Sequence, residues 1–202
     1  MVKTPQPKST APAKPRKSRE DWIRAGFRAL AKGGHAALRV EPIARELGAT
    51  KGSFYWHFED LAALKSALWT YWSEAAVSGI IAQLEAETPP GRARLERLLA
   101  LATATPPEVG GRAAEPALRD WARYDPSFAA ILAKVDQERI AYVARCFVEA
   151  GCADEMAKAR LLYSALIGLE QQPSENNESS FEALNTLLEM MLKEAGAAAK
   201  PA

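Results

Sequence analysis

One short stretch constrains this chain more than any other: Gly48-Ala49-Thr50-Lys51-Gly52-Ser53-Phe54-Tyr55-Trp56-His57-Phe58. Just before it, Val40, Ile43, Ala44 and Leu47 recur at helical spacing, which predicts a short amphipathic helix over 40–47. Gly48 can take positive φ, so the chain can turn sharply where that helix ends. Thr50 then supplies a hydroxyl to cap a second helix, expected from Lys51 to Phe58. Helix, glycine turn and helix in close succession is the pattern of a helix-turn-helix, whose second helix enters the major groove of DNA. Within that second helix Phe54 and Phe58 stand four apart on one face and should pack inward. Lys51, Tyr55 and His57 offer donors to phosphates and base edges, while Gly52 and Ser53 permit close approach of the backbone. Tyr55, Trp56 and His57 are consecutive, so they cannot all face one core. At least one must be exposed.

From about Arg19 to Leu68 the chain resembles the DNA-binding domain of the tetracycline-repressor (TetR) family of bacterial transcription regulators. The resemblance is carried by Ile43-Ala44, Leu47-Gly48 and the run Lys51 to Phe58, followed by Leu61 and Leu64. It implies an all-α fold: an N-terminal three-helix DNA-binding domain, then a larger helical domain for effector binding and dimerisation. It further implies a homodimer on double-stranded DNA, at a palindromic operator. Two departures stand out. Arg39 precedes the 40–47 helix where the family usually has a Thr or Ser cap, though its charge could reach a phosphate. Where the family commonly has a lysine after the aromatic run, this chain reads Glu59-Asp60-Leu61, with Lys65 one turn later as the available substitute. The DNA-contacting set is therefore expected to be Arg39, Thr50, Lys51, Gly52, Ser53, Tyr55, Trp56, His57 and Lys65.

Charge is divided in the same way. Residues 1–60 carry 12 Lys and Arg against 6 Asp and Glu, whereas the remainder carries 14 against 19, although the whole chain is only +1. A basic head on an acidic body suits a polyanion-binding regulator. Residues 1–17 are rich in Pro, Ser, Thr and Lys and lack an apolar segment, so a basic disordered tail of a cytoplasmic protein is expected there. The DNA-binding domain should occupy 18–64, the ligand-binding and dimerisation domain 65–195, and a second disordered tail 196–202. No apolar run is long enough for a membrane span.

The first helix should start at Ser18, through a capping-box-like Ser18-Arg19-Glu20-Asp21, and bury Ile23, Phe27, Leu30 and Ala31. A helix capped by Asp60 should run to about Glu87 and link head to body. Apolar stripes then predict helices over 92–103, 116–124, 126–150, 154–169 and 181–192, with a polar loop at 171–179. The last two should form the dimer interface, Leu188 and Met191 among its contacts, because Ala157, Ala159, Ala165 and Gly168 allow close helix approach. Aromatic residues cluster in the middle helices. Trp69, Trp72, Trp121, Tyr124, Phe128 and Tyr142 are the expected lining of a ligand cavity. Neither His35 nor His57 pairs with a Cys or carboxylate at metal-ligand spacing, Cys146 and Cys152 read as buried thiols, and no nucleophile or phosphate-loop motif is present. No catalytic residue, metal or cofactor is therefore expected. The function expected is a repressor released from its operator by a small apolar or aromatic effector. The alternatives are a regulator without such an effector, and a helical enzyme or carrier using the aromatic pocket.

Overall fold

Ser18 begins the first helix by exchanging two hydrogen bonds with Asp21. Its Oγ accepts from the Asp21 amide at 3.1 Å, and the Asp21 carboxylate accepts from the Ser18 amide at 2.8 Å. Helix α1 (Arg19–Gly33) buries Trp22, Ile23, Phe27 and Leu30. The computed structural model describes residues 17–104, 106–172 and 177–198, and among these the chain forms ten α-helices and no strand. Of the expected tails at 1–17 and 196–202, residues 1–16 and 199–202 lie outside the described residues, as does part of the expected loop at 171–179.

Helix α2 (Val40–Leu47) has no side-chain cap at Arg39, as the missing hydroxyl there predicts, and ends at Gly48 in the left-handed region (φ 62°, ψ 31°). Helix α3 (Lys51–Tyr55) is capped by Thr50, whose Oγ1 accepts from the Ser53 amide at 3.1 Å. It stops three residues earlier than its sequence suggests. The cause lies downstream. Asp60 caps α4 (Leu61–Ser73) by accepting from the Ala63 amide at 2.8 Å, which requires an extended Asp60 backbone (φ −152°, ψ −176°). The chain must therefore leave helical geometry between Tyr55 and Asp60.

The linking helix continues as expected to Glu87, but not uniformly. A π-helical segment, Glu74–Gly79, separates α4 from α5 (Ile80–Glu87). The body then adds α6 (Arg92–Thr103), two short 3₁₀ turns at Pro107–Val109 and Gly111–Ala113, and α7 (Ala114–Ala122). It closes with α8 (Pro126–Glu149), α9 (Glu155–Gln171) and α10 (Asn177–Ala198), so residues 196–198 are helical rather than tail.

Two apolar cores form. The first joins α1, α2, Phe54 and Phe58 to Leu64 and Leu68, then runs past residue 64 into Trp69, Trp121 and Phe128. Trp69 stacks on Phe128 at 5.0 Å between ring centres, and Trp121 meets Phe128 edge-on at 4.4 Å. These three rings weld head to body. The second core gathers Leu84, Leu95, Leu99, Phe147, Leu162, Leu184 and Leu188. Leu188 and Met191 are thus buried within their own chain, not presented to a partner. Cys146 and Cys152 are free and buried, and enclosure pushes the Cys146 thiol up to about 11.

Candidate nucleic-acid interface and ligand cavity

The two faces of α3 separate by burial. Phe54 is wholly buried, its ring 5.4 Å from both Trp22 and Phe58, while Tyr55 is 52% and Trp56 86% exposed. Two adjacent aromatic side chains thus stand on the surface at the end of α3. Gly52 and Thr50 are exposed beside them, with Ser53 and His57 half-buried, and Arg39 is exposed at the start of α2. Lys51 is exposed too, but it is not idle: its Nζ lies 2.6 Å from Glu41 of α2. That hydrogen bond lowers the Glu41 carboxyl and raises the Lys51 ammonium. The Lys65 ammonium, the substitute for the family's usual lysine, lies over the Trp121 ring at 5.5 Å. Its position one turn into α4 points it to the head–body junction.

The Glu41–Lys51 pair has a measurable consequence. A phosphate approaching Lys51 also approaches the Glu41 charge, and the exposed pair is readily screened by salt. Lys51→Ala should flatten the slope of log affinity against log salt by about 1. Glu41→Gln should act oppositely, tightening DNA binding most at low salt. Fluorescence anisotropy titrations across a salt series check both, and two silent variants would remove Lys51 from the interface.

Beyond the junction the helices enclose a cavity of about 670 Å³, within the usual range for small-molecule sites. Trp72, Val77, Ile81, Leu98, Leu101 and Leu166 supply much of its apolar wall. The π segment contributes Ala75, Ala76 and Val77, so the widened turn faces the cavity, a common place for such segments. Two wall residues, Arg24 and Phe27, belong to α1 of the head. The turn between Val109 and Gly111 presses on the same helix: a Cβ on Gly110 (φ 90°) would lie 2.9 Å from the Phe27 carbonyl oxygen. Arg28 ties the turn down by donating to the Glu108 carbonyl at 3.2 Å and to Glu46 of α2 at 2.6 Å.

The cavity has one polar quarter. Arg139 of α8 bridges both oxygens of Glu115 at 2.7 and 3.1 Å, and Arg119 reaches Glu115 at 2.8 Å and both oxygens of Asp136 at 2.7 and 3.1 Å. Tyr163 Oη donates to Asp136 at 2.6 Å. Burial works to raise the Glu115 carboxyl, but Arg139 and Arg119 hold it below its ordinary range. Glu170, also on the wall, moves the other way: burial and the nearby Glu115 push it up to about 7.

Of the six aromatic residues expected to line a cavity, Trp72 and Tyr142 do. Trp69, Trp121 and Phe128 belong to the head–body core, and Tyr124 is 79% exposed. The sequence carries one signal of the polar quarter. Asp136 and Arg139 interrupt the apolar stripe of Ile131, Leu132, Val135, Tyr142 and Val143. Charges inside a buried stripe must be paired.

Residues 23–68 match the family of bacterial regulatory proteins, tetR family. The head belongs to the TetR family. Solved structures extend the likeness over the body. A Rhodococcus sp. protein assigned to the TetR-family transcriptional regulators aligns with a TM-score of 0.72 at 24% identity, over 86% of this chain and 98% of that one. A protein from Saccharomonospora viridis assigned as a transcriptional regulator, solved in complex with choline, aligns at 0.70 and 19% identity over 85% and 95%. A transcriptional regulator from Rhodococcus sp. Rha1 aligns at 0.68 and 20% over 88% and 97%. At such identities these structures share the fold. No curated protein matches the chain in sequence. The chain thus has the build of a DNA-binding transcriptional regulator, a TetR head on an all-helical body. Among the described residues, no helix is long and apolar enough to cross a membrane.

Proposed function

We propose that this TetR-family chain is a homodimeric repressor that binds a palindromic operator and is released from it by a small, largely apolar effector in the 670 Å³ cavity. The observation that carries this reading is the sharing of α1. Phe27 belongs to the core that seats Phe54 of α3, and it also lines the cavity. An occupant that displaces Phe27 or the turn at Gly110 changes the seat of α3. Such coupling is reciprocal, so DNA must weaken effector binding by the factor with which effector weakens DNA binding. The S. viridis relative, with its choline, supports a small-molecule site in a body of this fold.

The dimer surface in this proposal differs from the stripe of Leu188 and Met191. Leu161 of α9 and Met190 of α10 are 61% and 62% exposed, with Phe181 and Gly168 also on the surface. Pairing of these faces across a two-fold axis would cover them in a four-helix bundle. Leu161→Glu combined with Met190→Glu should give a folded monomer by sedimentation velocity that no longer retains specific fragments from sheared genomic DNA. A double variant that stays dimeric would reject this interface. Failure of the unaltered protein to retain any fragment over non-specific competitor would reject the repressor itself.

A further inference from the structure

Glu170 stands one residue from the end of α9, half-buried on the cavity wall, and makes no hydrogen bond or ion pair with any described residue. Its Oε2 is wholly enclosed. A buried acceptor left unpaired costs its full desolvation, so this atom is open to any donor in the cavity, water or ligand. The nearby cations are committed elsewhere. Arg139 is spread across both oxygens of Glu115, and Arg119 across both oxygens of Asp136. Arg112 donates to the Leu169 carbonyl at 3.3 Å and to Ser180 Oγ at 3.1 Å. Burial and Glu115 together outweigh the pull of these three arginines and push Glu170 up to about 7.

The missing partner is therefore a donor, and a positive one. Glu115, Asp136 and Glu170 offset Arg139, Arg119 and Arg112, so an added anion would find no uncommitted cation in this quarter, and Arg24, a cation of the head-side wall, is already held by Glu20 at 2.6 Å. Trp72, Val77, Ile81, Leu98 and Leu166 leave the rest of the wall apolar. We propose that the effector is an amphiphile with a protonated amine at one end, the ammonium seated on the Glu170 carboxylate and the apolar chain filling the remaining cavity. This rests on the reading of the cavity as an effector site and names the chemistry of its ligand. No bond between heavy atoms is made or broken. The amine keeps its proton, and Glu170 molecules that are neutral at pH 7 release theirs to solvent as the ammonium binds.

The test uses the full chain and three probes of equal length: n-octylamine, n-octanol and n-octanoate. Calorimetric titration at neutral pH should rank octylamine tightest. Glu170→Gln should weaken octylamine by about 10- to 100-fold, the range for a hydrogen bond to a charged group, and leave octanol binding unchanged. Octanol binding also certifies that the variant is folded. Octylamine should further lower the affinity of the unaltered protein for retained genomic DNA. If octylamine binds Glu170→Gln as tightly as the unaltered protein while octanol still binds, the amine seat is wrong and the effector cavity survives. The amine seat is equally wrong if octanoate binds more tightly than octylamine. If none of the probes binds or shifts DNA affinity, both the amine seat and the effector reading fall.

Discussion

Phe54→Ala should destabilise the protein by about 3–5 kcal/mol, whereas Trp56→Ala, two residues on, should change stability by less than about 0.5 kcal/mol and still abolish specific DNA binding. Phe54 is wholly enclosed by Trp22, Tyr55 and Phe58 at 5.3–5.4 Å between ring centres. Removing its ring opens a cavity in a head whose own core is small. Trp56 has no ring contact among the described residues and is 86% exposed, so its removal leaves no void. Tyr55 is intermediate: it meets Phe54 edge-on, and Tyr55→Ala should cost about 1 kcal/mol through that pair. Urea melts of the three variants beside anisotropy titrations on retained genomic fragments decide the matter. Should Trp56→Ala melt like Phe54→Ala, the exposed edge of α3 is structural and not a reader.

The second large effect is expected at Glu115. It is the shared acid between Arg119 and Arg139, and Glu115→Ala leaves two guanidinium groups short of a partner in a largely enclosed site. Loss of one member of such a set costs about 3–5 kcal/mol. Much of that is the penalty for the stranded charges, so adding Arg139→Met to Glu115→Ala should restore part of it. A double variant that loses the sum of the single losses would show that Arg139 is held by other partners. The pH dependence has two limbs. The folded Glu115 carboxyl lies below its ordinary value of 4.5, so its contribution is complete above that value and is lost as pH falls through the folded one. Glu170 is raised from 4.5 to about 7, so its ionisation in the folded state is resisted, and stability declines as pH rises through that window. Glu170→Gln should flatten the decline between about pH 4.5 and about pH 7 while leaving the acid limb in place.

The starts of the head helices were legible because they depend on neighbours within a few residues. Ser18 with Asp21, Thr50 with the Ser53 amide, and Asp60 with the Ala63 amide each settle a helix start across three positions. Gly48 sets the turn through its own backbone freedom. The inward face of α3 followed from the spacing of Phe54 and Phe58. Even there, the end of α3 at Tyr55 depended on competition with the cap of the next helix, which spacing alone does not weigh.

In the body, local rules were silent on the decisive matters. An aromatic residue reads the same in sequence whether it lines a space or fills one, and only the placement of α7 and α8 against α4 put Trp69, Trp121 and Phe128 into a solid core and Trp72 and Tyr142 onto a cavity. Met190 and Met191 are adjacent and chemically identical, yet one is 62% exposed and the other 6%. Which side of α10 meets its own chain is fixed by the crossing of α6 and α9. Glu170 is the sharpest case. Its sequence neighbours mark it only as a charge near a helix end, and its isolation arises because arginines from α7 and α8 spend their hydrogen bonds on other acids. Hydrogen bonding and burial are three-dimensional sums over residues distant in the chain. The sequence therefore determined that this protein carries a helix-turn-helix head, and the tertiary structure alone decided where its cavity lies and which charge in that cavity lacks a partner.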